Sequence, residues 1–526
     1  MLSSNVLRPA GNPGRFEKAV EHFFDRLAAT YLRRLQGALN YLPATLLFAL
    51  AVLASIYFMF VTSKAELAPT EDQSILFFQA VAPQTASLEY NEIYTREIID
   101  AFEQVPEYHE SFLLLGFGGD DNVVFGGFKM EQPAQRTRSQ MEVLPDVQAL
   151  LSQIAGFQLA VFPRPSLPGS SGLPFQFVVQ SDADFREIDE VADQLIGRGM
   201  ASGQFMFLRK SIEFSRPKAI LVIDRDRAAD LGISMADIGR NLATLLGGND
   251  VNRFSLDGRS YKVIPQAERM FRLDPDMLGD FYVRSAVGEQ VPLSSLVHIE
   301  HAVEPSKRTQ FQQLNSVTIE GLMAPGVSEG QAMAEMERIA AETLPRSFSF
   351  DYTGATRQFA QQGSALVITF FMSLLVIYLV LAAQFESWRD PLIILVSVPM
   401  SIAGALAFLT LGFATVNIYT QVGLITLIGL IAKNGILIVE FANQLQIEQG
   451  LDRRAAIERA STIRLRPILM TTVAMLVAMV PLLTASGPGA VSRFHIGLVI
   501  ATGLGIGTLF TLFVVPAVYL LLAREH

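Results

Sequence analysis

The stretch LIGLIAKNGILIVEFANQ (427–444) is almost wholly apolar, yet Lys433 lies inside it. A lysine at the centre of a membrane-length helix costs about 2.5–3.5 kcal/mol, and such groups face a bundle interior and pair. Snorkelling to the surface is the weaker alternative. At 1.5 Å per residue Lys433 stands roughly 15 Å from the helix end near Asn443, further than four methylenes easily reach. Gly429 and Gly435 leave room for a second helix to come close. A buried ammonium calls for a carboxylate partner. None lies within the other apolar runs, and Glu440 is about two turns along the same helix, too far for a direct pair. The natural partner is expected outside this chain.

The segment RLRPILMTT adds Arg464 and Arg466 at the expected cytoplasmic mouth of a neighbouring run, with Thr471 and Thr472 further in. For Arg466 and Thr472 the plain account is preferred: a topology anchor and a hydroxyl bonded to its own helix. The glycine-rich GFGGDDNVVFGGF (116–128) is no phosphate cradle, since it lacks the Lys-Ser/Thr ending and leads into no helix. With Phe112, Phe117, Phe125 and Phe128 around it, two readings stand side by side. It is a mobile flap over an apolar pocket, or an ordinary hairpin whose phenylalanines are core. No HExxH, GxSxG or Walker sequence occurs, and His109, His298 and His301 have no recognised ligand spacing. Enzymatic chemistry and a metal site are therefore not expected, and neither is ATP as an energy source within this chain.

Half of the 526 residues are apolar and 17% are charged, which fits a membrane protein with a large water-facing part. The net charge of −10 argues against nucleic acid as a partner. The absence of cysteine removes disulfides, thiolate metal sites and cysteine nucleophiles. Six runs are long enough, or nearly so, to cross a bilayer: 43–62, 364–383, 391–411, 417–442, 466–485 and 495–522. Arginine and lysine crowd the leader (Arg8, Arg15, Lys18, Arg26, Arg33, Arg34) and the loop before the fifth run (Arg453, Arg454, Arg459, Arg464, Arg466). Both should be cytoplasmic, which puts the roughly 300 residues between the first two runs outside. FEKAVEHFFDRLAATYLRRLQGALNY reads as an amphipathic helix lying on the inner surface.

That outer part alternates in type. Strand SILFFQAVA, a helix, strands SFLLLGFG and NVVFGGFKM, a second helix and strand FQLAVFP give the order βαββαβ, a split-βαβ, ferredoxin-like arrangement. A second copy starts at LPFQFVVQS, with SIEFSRP as its second strand, and resumes near 308. An insertion at 218–302, with the hairpin NRFSLDGRSYKVIPQ, interrupts it. Two like subdomains suggest duplication. The expected fold class is thus a membrane protein with an α-helical bundle of six transmembrane helices plus an α+β outer domain of ferredoxin-like βαββαβ subdomains. The expected boundaries are a leader with its amphipathic helix at 1–42, a first transmembrane helix at 43–62, and a first outer subdomain at 63–172. The second outer subdomain occupies 173–217 and 303–363 around the inserted 218–302, five transmembrane helices occupy 364–522, and 523–526 form a cytoplasmic tail.

ELAPTEDQ (66–73), GFG at 116, VPLSSL (291–296), FESWRDP (385–391), GLIAKNGILIVEFA and RLRPILMT together resemble the C-terminal half of resistance-nodulation-division transporters, hydrophobe/amphiphile efflux type. The resemblance covers nearly the whole chain. It implies a Gram-negative inner-membrane permease, a trimer of complete protomers, driven by the proton gradient without a cofactor. A periplasmic adaptor and an outer-membrane channel would complete a tripartite complex exporting small amphiphilic compounds. By the same resemblance Lys433, Thr471 and Arg464 belong to a proton relay with two aspartates of the family's fourth span. Phe112, Leu114, Phe117, Phe125 and Phe162 fall where pocket-lining residues lie. Gly116, Gly118, Gly119, Asp120 and Asp121 belong to a switch loop between two drug pockets, and 218–302 to the funnel that docks the adaptor. Two departures matter. The loop is short, with Gly119 in place of a second phenylalanine and Asp120 and Asp121 near a common arginine, which favours cations. The chain also begins where the family ends its sixth span, so the aspartate pair is expected from a separate N-terminal half. The competing readings are a non-transporting remnant or membrane scaffold, and a lipid- or metal-exporting relative.

Overall fold

The computed structural model describes residues 15–168, 172–305 and 307–525. Residues 1–14 of the expected leader, Arg8 among them, lie outside that range, as does His526 of the expected tail. The chain divides into two compact units, one of residues 82–87 and 212–308 and the other holding the remainder.

In the larger unit α1 (Arg15–Asn40) and α2 (Leu42–Thr62) come first. The amphipathic helix forms as its pattern requires, but it does not lie free on a surface. Tyr31, Leu35 and Leu39, spaced four apart on one face, are buried in the core shared by the later apolar helices, and the Tyr31 hydroxyl donates to Leu512 O at 2.7 Å. Its partner is the bundle itself, which sequence alone could not name.

Next come β1 (Ile75–Val81), α3 (Leu88–Phe102), β2 (Tyr108–Leu115), β3 (Val123–Met130), α4 (Gln140–Leu151) and β4 (Gln158–Pro163). The strands pair antiparallel in the order β2-β3-β1-β4. Residues of β1 alternate between faces, as period two requires. Leu76, Phe78 and Ala80 are buried, and Phe78 meets Phe102 of α3 at 5.4 Å. Ser139 caps α4 in a reciprocal box with Glu142.

The second copy opens with β5 (Phe175–Ser181), α5 (Phe185–Ala201) and β6 (Phe205–Lys210). The strand expected at SIEFSRP is here corrected to FMFLRK (205–210), which pairs with a later strand from Ile319↔Lys210 onward. SIEFSRP alternates apolar and polar residues and FMFLRK does not, yet cross-strand pairing selects FMFLRK.

The smaller unit then intervenes with β7 (Arg216–Ile223), α6 (Arg225–Asp230), α7 (Met235–Leu245), β8 (Asn252–Leu256), β9 (Arg259–Val263), β10 (Tyr282–Arg284), β11 (Gln290–Pro292) and β12 (Val297–Glu304). Its β8–β9 hairpin turns through Asp257 and Gly258, both at positive φ, as an Asp-Gly turn demands. The interrupted copy resumes with β13 (Thr309–Phe311), β14 (Leu314–Met323), α8 (Glu329–Thr343) and β15 (Phe348–Tyr352). Strands β6, β14, β5 and β15 lie side by side, the same topology as β2-β3-β1-β4.

The remaining helices are α9 (Gly354–Phe385), α10 (Asp390–Leu395), α11 (Ser397–Thr410), α12 (Ile418–Gln449), α13 (Arg453–Leu483) and α14 (Ala490–Leu522). With α10 and α11 taken together, six helices among the described residues are long and apolar enough to cross a membrane. Several outrun their apolar stretch, because helix continues beyond the part that lipid would cover. Pro399 breaks the third between α10 and α11, since its ring crowds the carbonyl four residues back. The bundle's packing centres on α14, whose small residues lie against α11 and α12. At Gly503 a Cβ would come within 2.3 Å of Leu427, and at Gly507 within 2.4 Å of Ser401.

Candidate functional site

Cross-strand register builds a wall of aromatic side chains on the first sheet. Phe112 opposes Gly127 on β3, Gly127 opposes Phe77 on β1, and Phe77 opposes Phe162 on β4. Two residues along, Leu114 opposes Phe125 and Phe125 opposes Gln79. Because side chains two apart share a face, Phe112, Leu114, Phe125 and Phe162 all project from the side opposite α3 and α4. The structure thus brings together four of the five pocket residues named from the sequence. The fifth, Phe117, folds back from the loop and stacks on Phe125 at 4.7 Å.

Phe77 is the hub that sequence reasoning missed. It meets Phe125 at 5.3 Å, Phe162 at 6.3 Å and Phe112 at 6.4 Å. The wall is graded. Phe162 is 2% exposed and packs with Leu173 and Leu322 of the second copy, whereas Phe112, Leu114 and Phe117 are each more than 40% exposed. Such an apolar surface, open at one end and closed at the other, suits a greasy ligand. Phe128, the fourth aromatic near the loop, belongs instead to the helix-side core with Phe102.

The loop between β2 and β3 is a tight hairpin tip. Gly116 and Gly118 both adopt left-handed backbone, a region that costs other residues about 1–2 kcal/mol, and Phe117–Gly119 form a single 3₁₀ turn. Gly116 N donates to Val123 O at 2.9 Å and Val123 N to Asp120 O at 3.0 Å. The buried Asn91 side chain on α3 donates to the carbonyl of Asp121, so the two aspartates sit on a loop anchored from below.

In the bundle Lys433 is half-buried on α12, and among the described residues it has neither a hydrogen bond nor an ion pair. Gly435 lies against Ile394 as the spacing suggested, but Gly429 faces open space. Thr471 bonds Ile468 O of its own helix at 3.1 Å. The hydroxyl that turns inward is Thr472, for which self-bonding was expected. It lies 3.4 Å from Thr508, and Thr508 accepts from Asn434 Nδ2 at 3.1 Å. This buried Asn434–Thr508–Thr472 contact joins α12, α13 and α14 beside Lys433, and sequence reading missed it because Thr508 is one of three threonines in its run, with Thr502 and Thr511, and nothing local singles it out. Arg464 lies over the Phe441 ring at 4.3 Å, which is cation–π range. Arg466 lies over Phe24 of α1 at 5.1 Å. Among the described residues no cluster could hold a metal ion.

A family model described as the AcrB/AcrD/AcrF family matches residues 1–523. An uncharacterised transporter of Haemophilus influenzae is 35% identical over 533 residues, covering 100% of this chain and 52% of that protein. The multidrug/solvent efflux pump membrane transporter MepB of Pseudomonas putida is 34% identical over 504 residues, 94% of this chain and 48% of that one. Multidrug export protein AcrF of Escherichia coli is 30% identical over 547 residues, 99% of this chain and 52% of its own. The chain spans about half the length of the curated relatives it matches.

Proposed function

The chain belongs to the AcrB/AcrD/AcrF family, and from that premise we propose that it is the C-terminal half of a proton-driven inner-membrane pump exporting hydrophobic or amphiphilic compounds. The observation that carries this reading is the graded aromatic wall of Phe112, Phe125, Phe77 and Phe162. A face of that kind holds apolar ligands by area and shape, not by fixed polar contacts, as a broad-specificity exporter needs. Phe117 on the Gly116–Asp121 tip is the flap over it, and Asp120 and Asp121 bias it toward cationic amphiphiles. The two βαββαβ copies are read as ferredoxin-like porter subdomains on the periplasmic side. The unit between them is the part that meets an adaptor and, through it, an outer-membrane channel, with three complete protomers forming the pump.

Lys433, Thr471 and Arg464 are the proton-relay positions of this half. Lys433 supports the need for acidic residues from another polypeptide, since an ammonium in an apolar bundle is stable only when neutralised. When those carboxylates take up protons the lysine loses its counter-charge and must move, which supplies the mechanical step. Proton flow then replaces any cofactor. The test is a mild-detergent pull-down of the tagged chain from its native membrane, followed by efflux assays. A stoichiometric companion bearing an intramembrane aspartate pair, with export only when both are present, supports the reading. A chain recovered alone, with no export in any combination, refutes it in favour of a non-transporting remnant.

A further inference from the structure

Residues 64–67, between α2 and the first sheet, are tied on two sides. Toward the bundle, Val416 N donates to Lys64 O at 2.8 Å, Glu66 N to Val416 O at 3.1 Å, and Ile418 N to Leu67 O at 3.3 Å. Toward the second porter copy, Gly330 N donates to Ala65 O at 3.0 Å and Lys64 Nζ to Gly326 O at 2.7 Å. This short strap therefore links the start of α8 to the start of α12. Two carboxylates lie at the link. Glu66 accepts from Thr415 Oγ1 at 2.5 Å, and Glu329, at the first turn of α8, accepts from Leu67 N at 3.3 Å.

Glu329 is 8% exposed, and its Oε1 is buried without a hydrogen-bond partner among the described residues. The neighbouring Thr356 hydroxyl already donates to Pro174 O. Both glutamates line a cavity of about 180 Å³ whose other walls include Leu67, Leu173, Met323 and Arg164. A buried carboxylate oxygen with no donor is costly if charged and far less so if it carries a proton. We propose that Glu329 is a proton-binding site at this strap, with Glu66 as the like charge lining the same cavity: a proton on Glu329 holds α8 to the bundle loop, and its loss opens the joint.

The surroundings are consistent in sign. Burial pushes Glu329 up to about 7, against the Leu67 N–H and the nearby Thr356 hydroxyl, and the Glu66 charge adds to the rise. Burial also raises Glu66, against Thr415 and Lys64. Lys64 is the cation on the strap, and Arg164 stands exposed on the cavity wall. On α9, Arg357 is engaged over Phe311 at 5.5 Å. Further along the strap Glu71 is bonded to Ser492 N, and Asp72 to Arg136. The bundle loop 414–417 carries no titratable side chain, and His495 beyond it is bonded to Asn417 at 2.8 Å. The pair is thus closed in acid. It loosens as Glu329 loses its proton and two like charges line one small cavity.

The inference does not rest on the export reading, because every group in it belongs to this chain. The absence of cysteine makes the test clean: spin labels go on Ala341→Cys of α8 and Leu411→Cys of the bundle loop, in nanodiscs, with distances recorded from pH 5 to 9. The expected result is a distance change with its midpoint near 7. It is lost in Glu329→Gln, which holds the acid distance at every pH, and moved to lower pH in Glu66→Gln. Lys433→Met leaves the midpoint unchanged, which separates this site from the relay. No distance change with pH, or the same midpoint in both glutamine variants, overturns the proposal. Should Glu329→Gln not insert, an unmoved midpoint in Glu66→Gln alone suffices to overturn it.

Discussion

Gly126 and Gly127 are neighbours on β3 that face opposite sides of one sheet, and alanine at each should have opposite consequences. A Cβ on Gly126 would lie 2.4 Å from the Phe78 ring and 2.6 Å from the Phe112 carbonyl oxygen. Ordinary contact begins at 3.4 Å, so the gap must open by about 1 Å. Phe78 is 1% exposed and wedged against Phe102, and the carbonyl is part of the ladder, so neither can yield cheaply. Overpacking of this kind costs about 1–3 kcal/mol. A Cβ on Gly127 would lie 2.3 Å from the Phe112 ring, an equally severe clash, but Phe112 is 43% exposed and free to swing outward. That loses its contacts with Phe77 and Phe125, which at 6.4 and 6.3 Å lie near the far end of the aromatic range and so near the low end of about 0.5–1.5 kcal/mol each. Losing a glycine returns about 0.5–1 kcal/mol at either position, which offsets most of the loss at Gly127 and only part of the cost at Gly126. Gly126→Ala should therefore lower the detergent-solubilised unfolding temperature by several degrees, at about 2–4 °C per kcal/mol for a domain of this size. Gly127→Ala should leave it in place yet weaken binding of an apolar fluorescent ligand, because the wall loses its open end. Equal destabilisation by both would refute the face assignment, and undiminished ligand binding in Gly127→Ala would remove Phe112 from the site.

Lys433→Met should abolish export in the reconstituted pump without reducing the amount of chain in the membrane, and retained efflux at normal expression sinks the relay. Phe162→Ala should cost about 3–5 kcal/mol because the ring is buried between the two copies, while Phe117→Ala should change ligand affinity with little change in unfolding temperature. Two carboxylates with oppositely shifted values, Asp72 and Glu329, should respond to pH with opposite sign. Burial pushes the Asp72 carboxyl up, but Gln140 N–H and the Arg136 guanidinium outweigh it and hold it below the usual range, so its contribution is present above that range and lost as pH falls. The raised Glu329 contributes below the usual carboxylate range and loses that contribution as pH rises through about 7. Asp72→Asn should flatten only the acid limb of a stability–pH profile, and Glu329→Gln only the neutral one.

Much of this was legible in the alternation of residue types. Both βαββαβ runs show it, and the pocket candidates Phe112, Leu114 and Phe125 stand two or eleven residues apart on strands that a hairpin folds face to face. Phe77 was not legible, because SILFFQAVA is apolar on both faces and only the register with β3 and β4 says which phenylalanine faces the wall. The second strand falls elsewhere for a related reason, since SIEFSRP carries the alternation that FMFLRK lacks, and pairing with β14 overrides that pattern. Glu329 reads locally as one residue of an ordinary capped helix start, SEGQ. Its burial comes from a strap 262 residues earlier, a distance no local pattern spans. The amphipathic helix α1 was visible as a helix, but the surface it covers lies at the far end of the chain.

The repeated strand order has one more consequence. In the first copy the tip between the two central hairpin strands is the short glycine turn of Gly116–Asp121. In the second copy the equivalent tip, between β6 and β14, opens to admit residues 212–308. Hairpin tips accept added chain because their two ends stay close whatever lies between them. The two copies thus differ at one shared address, where one has a turn of a few residues and the other carries a whole folded body. New partners can be acquired there by exchanging the guest while the host sheet keeps its register.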